Sequence, residues 1–362
     1  MEDAPRMSEP LVIHLLPYDL ARGAQTYARA LCDALDGHGA RHRVATLFEP
    51  VDNVLGSDFS LNSPHGVGRR LGFDPRAAIR LRRLLHRTAP RAVVAHGSEP
   101  LKYALAARPA RLPVFAYRIG VSAVEHGLRR RLLSMQFHAS DLVAGVSHEV
   151  LDETVNTFGV PRERCRLVPN GRDPRVYHPP SSPTPGPPRI VFVGHFDDNK
   201  RPELVIECVE RLARRGVSFT ATMIGDGPRL EELRPRAEQA GIEVLGRRSD
   251  VPDQLRRARV CLLVSKMEGM PGIFIEAGLT GLPVVTTDVP GARTVLVEGQ
   301  TGFVVGVDAI EALVARLERL LTTPELARSI GEAARKRCVA EFSLEHSASL
   351  WMDILRPHLA PR

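Results

Sequence analysis

Along this chain of 362 residues, short apolar runs alternate with stretches in which apolar positions recur every three or four residues. Runs of four to six apolar residues bounded by turn formers read as strands buried on both faces, and the stretches between them as amphipathic helices. In the first half the strand candidates are residues 11–16, 43–47, 92–95, 114–117, 142–146 and 166–168, with helices over 24–35 and 75–86 among those between them. Residues 179–188, PPSSPTPGPP, then break the alternation. A Pro-rich run cannot join a sheet and behaves as a semi-rigid spacer, so it is expected to be a domain linker. Beyond it the alternation restarts, with strands expected over 190–193, 220–224, 260–264 and 283–286, and helices over 310–321, 324–340 and 344–355.

Strands alternating with helices predict βαβ units and parallel sheets, and the length is too great for one ordinary core. The expected fold class is therefore α/β: residues 1–180 form one Rossmann-like, doubly wound domain and residues 189–342 a second. Residues 343–362 are expected to be a terminal helix returning to the first. Two such domains facing each other would place a cleft at the carboxyl ends of their strands, where open α/β sheets bind ligands.

Composition narrows the class. Apolar content of 43% and charged content of 25% are those of a water-soluble globular protein, and no apolar run approaches the roughly 18 residues of a membrane span. The start, MEDAP, lacks the basic-then-apolar pattern of a secretory signal. The five cysteines are scattered and never spaced C-x-x-C, which argues against a disulfide framework and a zinc site. A cytoplasmic location is the expectation. The net charge of +7 is uneven: up to residue 180 there are 25 Lys+Arg against 18 Asp+Glu, so the rest holds 24 against 24 of the totals 49 and 42. Clusters such as Arg69-Arg70, Arg80/Arg82/Arg83 and Arg129-Arg130-Arg131 read as a solvated surface, as a site for an anionic acceptor, or as peripheral docking on an anionic inner membrane face. With aromatics at 5%, nucleic acid is not an expected partner.

The richest stretch follows the strand expected at 260–264 and reads SKMEGMPGIFIEAG over residues 265–278. Gly269 and Gly272 allow backbone to approach a ligand closely, and the exposed amides of a helix start favour a phosphate. Glu276 lies about one turn into that helix, placing its carboxylate within reach of ribose hydroxyls, while Glu268 sits on the preceding loop. Two glutamates eight apart are, by themselves, equally an ordinary helix start with two incidental acids. After the linker, Val193-Gly194-His195-Phe196-Asp197-Asp198-Asn199-Lys200-Arg201-Pro202 is a strand ending in glycine followed by cations, which suits a diphosphate.

The 268–276 stretch resembles the E-x7-E motif of the retaining GT-B glycosyltransferases of family 4. The match continues through GLPVVTTDVPG at 281–291 and GQTGF at 299–303. It is joined by GDGP at 225–228, VLG at 244–246, VPNG at 168–171 and AGVS at 144–147. The resemblance covers nearly the whole chain and implies a GT-B fold, a nucleoside-diphosphate sugar as co-substrate with uridine and guanosine both open, and no metal cofactor. It implies that Gly194, Lys200, Glu268, Gly269, Met270, Pro271, Gly272 and Glu276 hold the donor, with base contacts near Gly246-Arg247. In the family a lysine at Lys200 and an arginine a few residues earlier neutralise the leaving diphosphate. Here His195 stands at that arginine's place, with Arg201 as another substitute.

In the first half, Gly23 precedes a helix where a small residue lets amides reach phosphates. The family commonly has two glycines there, and Arg22 stands at the second. His96 ends a strand and heads the Gly97-Ser98-Glu99 loop, which makes it either an acceptor ligand or a structural histidine. Many relatives carry a histidine after the next strand; it is missing here, and Arg118 is the candidate in its place. His126, nearby, reads as part of a helix face.

The resemblance implies retaining transfer of a hexosyl-type group to an acceptor hydroxyl by a front-face route, catalysed by Lys200, Glu268, His195, Arg118 and His96. The acceptor is a small molecule or lipid-linked. The dominance of arginine over lysine is compatible with a GC-rich bacterial genome and natural-product glycosylation. Two rivals stand: a phosphorylase or epimerase on the same scaffold, and a non-catalytic nucleotide-sugar-binding subunit.

Overall fold

The computed structural model describes residues 9–19, 23–49, 56–63, 72–122, 127–182 and 184–360. Arg22, Arg69-Arg70 and His126 lie outside the described residues. The chain divides into two compact units, one formed by Met1–Gly171 with Leu344–Arg362, the other by Arg172–Ser343. The division falls ahead of the Pro-rich stretch rather than within it. That stretch lies along the second unit: it walls a pocket with residues 255–259 and 280–283, and Thr184 donates to the Arg256 carbonyl at 3.3 Å. Arg172 is held to the second unit by its own amide, which donates to the Phe342 carbonyl at 3.1 Å.

Unit 1 contains strands β1 (Leu11–Leu16), β2 (Arg41–Phe48), β3 (Phe59–Ser63), β4 (Ala92–His96), β5 (Val114–Arg118), β6 (Leu142–Gly145) and β7 (Cys165–Leu167). Its helices are α1 (Gly23–Leu35), α2 (Pro75–Thr88), α3 (Ser98–Ala107), α4 (Leu128–Ala139) and α5 (His148–Asn156). The strands pair in the order β3-β2-β1-β4-β5-β6-β7, all parallel. Every residue of β4 and β5 is buried, as expected of parallel strands covered by helices on both faces. Local chemistry sets the helix starts: Asp74 accepts from the Arg76 amide at 2.9 Å ahead of Pro75, and Ser147 accepts from the Val150 amide at 3.3 Å.

Unit 2 contains β8 (Arg189–Val193), β9 (Thr220–Ile224), β10 (Ile242–Gly246), β11 (Val260–Leu263), β12 (Val284–Thr287) and β13 (Gly302–Val305). Its helices are α6 (Pro202–Arg214), α7 (Leu230–Gln239), α8 (Val251–Arg256), α9 (Gly272–Leu279), α10 (Ala292–Val295), α11 (Ile310–Thr322) and α12 (Pro324–Glu341). The order is β10-β9-β8-β11-β12-β13, again all parallel. This is the doubly wound arrangement, and it reverses direction between β8 and β11, the point at which such sheets take ligands.

The last helix, α13 (Leu344–Leu359), belongs to unit 1. Trp351 is fully buried, edge-on to Tyr117 at 5.2 Å, and Ser347 bonds both the Tyr27 hydroxyl (2.6 Å) and the Pro169 carbonyl (2.9 Å). Among the described residues no helix is long and apolar enough to cross a membrane, and all five cysteines are free and buried.

Candidate active site

Two loops meet beyond the carboxyl ends of β8 and β11. The first leaves β8 at Gly194, whose amide donates to the Ile224 carbonyl at 2.9 Å. A Cβ at Gly194 would meet the Phe192 ring at 2.8 Å, and one at Gly225 would strike the Gly194 carbonyl oxygen, so the loops after β8 and β9 touch backbone to backbone. Asp197 Oδ1 then accepts from the amides of Asn199 (3.0 Å) and Lys200 (2.8 Å), closing a tight turn.

That turn is zipped to the loop after β11. Asn199 Nδ2 donates to the Met267 carbonyl (3.0 Å), its Oδ1 accepts from the Met267 amide (3.1 Å), and its carbonyl accepts from the Lys266 amide (2.8 Å). The zip brings the Lys200 ammonium onto Glu268 Oε1 in a half-buried ion pair. Asn199 was not among the expected site residues. The signal available for it was an amide side chain between the turn aspartate and the lysine.

From Glu268 the chain runs through Gly269, Met270 and Pro271 into α9, whose start carries no side-chain cap. Met270 and Pro271 are buried. Gly291, at φ 78°, packs against this backbone: a Cβ there would stand 2.8 Å from Met270 Cα. Glu276, one turn into α9, accepts from Arg172 Nε at 2.8 Å. Arg172 was also unforeseen, although it directly follows the VPNG motif.

His195 Nδ1 and Asp226 Oδ1 lie 3.0 Å apart, and Arg247 Nη1 is 3.7 Å from the other oxygen of Asp226. One exposed carboxylate thus links the histidine to the candidate base-contact arginine. Arg201 does not join them. It is buried in the left-handed region (φ 48°), where its guanidinium donates to the carbonyls of Val264 (2.6 Å) and Val307 (2.9 Å). A guanidinium committed to carbonyls beyond β11 and β13 braces the loop and is not available to a phosphate. The expectation that Arg201 replaces the family arginine is corrected accordingly.

Sequence models of two families match in tandem: Glycosyltransferase Family 4 over residues 21–176 and Glycosyl transferases group 1 over residues 176–337. The chain belongs to glycosyltransferase family 4. Among relatives it is 26% identical over 241 residues to N-acetyl-alpha-D-glucosaminyl L-malate synthase of Bacillus anthracis, covering 62% of this chain and 63% of that protein. The chain thus spans less than two thirds of that relative's length. Its fold is that of solved GT-B structures. Sucrose-phosphate synthase from Thermosynechococcus elongatus superposes with a TM-score of 0.81 at 18% identity over 96% of this chain and 98% of the other. Anabaena HepE, crystallised with UDP, superposes at 0.80 and 16% identity over 96% and 100%.

In unit 1 of this family 4 member, the expected catalytic side chains turn inward. His96 is buried, with Nε2 3.0 Å from His14 Nδ1, and His14 Nε2 is 3.1 Å from His42 Nδ1. Burial pushes His96 down to about 3 and His42 to about 4, and lowers His14 well below its ordinary value. His96 is a neutral core histidine joined to neighbouring strands, so its expected acceptor role is corrected. Arg118 is likewise buried. It pairs with Glu153, donates to the Val150 carbonyl at 3.1 Å and Ser122 Oγ at 2.9 Å, and lies 4.9 and 5.0 Å over the Phe137 and Phe158 rings. A guanidinium so enclosed ties β5 to α5; it does not stand in for a histidine facing donor sugar. Gly23 opens α1 exposed, and a Cβ there would meet nothing within 4 Å. No steric demand for glycine is visible at that position among the described residues.

Proposed function

We propose that this chain transfers a glycosyl group from a nucleoside-diphosphate sugar to an acceptor hydroxyl, with retention at the anomeric carbon and without a metal on the diphosphate. The observation that carries this reading is the meeting of Lys200 and Glu268 at the β8/β11 reversal, beside the uncapped start of α9. An ammonium beside a helix start without a side-chain cap forms a cradle for a diphosphate. On donor binding Lys200 would exchange Glu268 for phosphate oxygens, and Glu268 would accept from hydroxyls of the transferred sugar. Glu276, oriented by Arg172, is assigned the ribose hydroxyls. With His195 Nδ1 held by Asp226, contact with phosphate falls to Nε2.

In the step itself the acceptor oxygen bonds to the anomeric carbon as the bond from that carbon to the phosphate oxygen breaks. The acceptor proton passes to the departing phosphate on the same face, and nucleoside diphosphate leaves. Lys200 and the amides of Gly269, Met270 and Gly272 offset the charge developing on it. Uridine and guanosine remain open as the base. The test is a panel of nucleotide sugars with acceptor extracts, reading nucleoside diphosphate release, its survival in EDTA and the anomeric configuration of the product by NMR. A free nucleoside diphosphate that appears only with acceptor separates transfer from phosphorolysis or epimerisation. Absence of any thermal shift with every donor would sink the site.

A membrane-linked acceptor is favoured by one further observation. Leu128, Leu132 and Met135, spaced i, i+4 and i+7 on α4, are 72%, 47% and 67% exposed, beside exposed Arg129 and Arg131. An apolar stripe edged by arginines suits the surface of an anionic bilayer.

A further inference from the structure

Unit 2 holds a pocket at the end of its sheet opposite the Lys200–Glu268 loops. It opens at the amino ends of β8, β11 and β12, whereas Lys200 and Glu268 follow carboxyl ends; five residues of β8 put roughly 16 Å between them. The cavity is about 490 Å³. One wall is the Pro-rich stretch, including Pro179–Pro180 and Pro187–Pro188; the others come from residues 255–259, 280–283 and the first turns of α12. Six arginines line it against two glutamates among the described residues, and no aromatic ring does.

Three of those arginines are already engaged. Arg256 pairs with Asp253, Arg328 with Glu332 at 3.0 Å, and Arg335 donates to the Leu279 carbonyl. Arg189, Arg257 and Arg259 have no side-chain partner among the described residues. Arg259 and Arg189 start neighbouring parallel strands, the Arg259 amide donating to the Arg189 carbonyl at 2.8 Å, so their side chains leave the sheet about 5 Å apart. Like charges this close oppose each other. Moreover, Arg259 Nη1 is buried without a hydrogen-bond partner, a state that costs free energy until something accepts from it. An anion on the pocket floor relieves both penalties.

We propose that this pocket binds a sugar-sized phosphate monoester, its phosphate held by Arg189, Arg257 and Arg259. Guanidinium forks match phosphate oxygens in pairs, and three of them suit a doubly charged group. The volume accommodates a monosaccharide body, while the lack of aromatic lining disfavours a nucleobase, which is bound by stacking. This site is independent of the donor-site reading, because none of its residues lines the Lys200–Glu268 loops.

The test is calorimetric titration of the full chain with glucose 6-phosphate at low salt, with glucose, inorganic phosphate and UDP in parallel. One saturable glucose 6-phosphate site is expected, tighter than inorganic phosphate, unaffected by K200A and not displaced by UDP. R257Q, a change at an exposed side chain, should weaken it about ten- to a hundredfold, and R189Q/R259Q should abolish it. Glucose 6-phosphate binding that is absent, lost in K200A, unchanged in R257Q, or no tighter than inorganic phosphate overturns the proposal. Loss of UDP binding in K200A with glucose 6-phosphate binding retained would show that the two sites fail separately.

Discussion

Arg172 Nε donates to Glu276 Oε1 at 2.8 Å, and both side chains are 14% exposed. Gly272, the first residue of α9, lies directly under this pair: a Cβ there would run into the Arg172 guanidinium and stand 3.2 Å from Glu276 Oε1. The carboxylate assigned to the ribose is thus aimed by an arginine outside its own helix, across a position where a Cβ would push the guanidinium aside. Breaking an ion pair of intermediate burial should cost on the order of 2 kcal/mol, between the exposed and fully buried limits. R172A is therefore expected to lower the unfolding free energy by about that much and to raise the donor dissociation constant. G272A should weaken donor binding with Arg172 still present. Denaturant titration with donor calorimetry checks both; normal donor affinity in R172A and G272A would show that the pair aims nothing.

Lys200 and Glu268 make a second prediction. If their pairing holds a phosphate ligand and a sugar ligand ready, each acts through the transition state more than through folding. K200A should lower turnover by about 10²–10³-fold, while the half-buried pair, like Arg172 and Glu276, should cost stability only on the order of 2 kcal/mol. E268Q should also lose turnover, and the double variant should cost less than the two single losses multiplied, since residues in contact do not act independently. The readout is nucleoside diphosphate release at saturating donor. Strict multiplicativity would mean that the two side chains serve unconnected ends of the site.

The loops around the candidate donor site could be picked out because their chemistry is local. Glycines at 194, 269 and 272, a lysine in a chain with four lysines, and two acids around a helix start sit within short windows. The edge strands β3, β10 and β13 were not expected: β3 and β10 are half-exposed and lack the continuous apolar run of a buried parallel strand, while β13, though buried, has only four residues and opens on glycine. His96, Arg118 and Arg201 were misread for a different reason. His96 and Arg118 end strands and Arg201 stands at the cap of α6, places where a side chain can turn to the ligand or back into the core. What decides is a partner remote in sequence: His14 is 82 residues from His96, Glu153 is 35 from Arg118, and the Val264 carbonyl is 63 from Arg201. Local pattern carries no record of those partners.

The buried histidines make stability depend on pH. His14, His42 and His96 are neutral in the folded state, with pKa values depressed by burial, to about 4 for His42 and about 3 for His96. In the unfolded chain each titrates near 6.5. Below that value the unfolded state binds more protons than the folded one, so stability falls as pH drops from about 6.5 and keeps falling until the folded-state values are reached. Each histidine contributes a slope of up to about 1.4 kcal/mol per pH unit in that window. Unfolding free energies at pH 7, 6 and 5, above most carboxylate titration, should decline. H42Q should be less stable at pH 7 yet show a shallower decline. Equal stability at pH 7 and pH 5 would mean that the three rings are solvated.

The last prediction concerns α4. Leu133 and Phe137 anchor it to unit 1, while Leu128, Leu132 and Met135 form a second apolar stripe on its outer side. Of the large apolar side chains exposed among the described residues, these three share one helix, so the stripe is a patch and not scattered exposure. Arg129 and Arg131 flank it and Arg130 is turned away to the Thr157 carbonyl at 3.0 Å. Each arginine near an anionic surface is worth about 1 kcal/mol, a gain that salt screens, while the apolar insertion is not screened. Co-sedimentation should therefore show binding to phosphatidylglycerol vesicles, much less to phosphatidylcholine, and partial release at 0.5 M salt. L128S/M135S should lose the salt-resistant part, and R129Q/R131Q the salt-sensitive part, with the fold of both intact because none of the four side chains is buried. Vesicle binding unchanged in L128S/M135S would place the contact elsewhere on the basic first unit. Equal binding to both lipids would remove the arginines from the account.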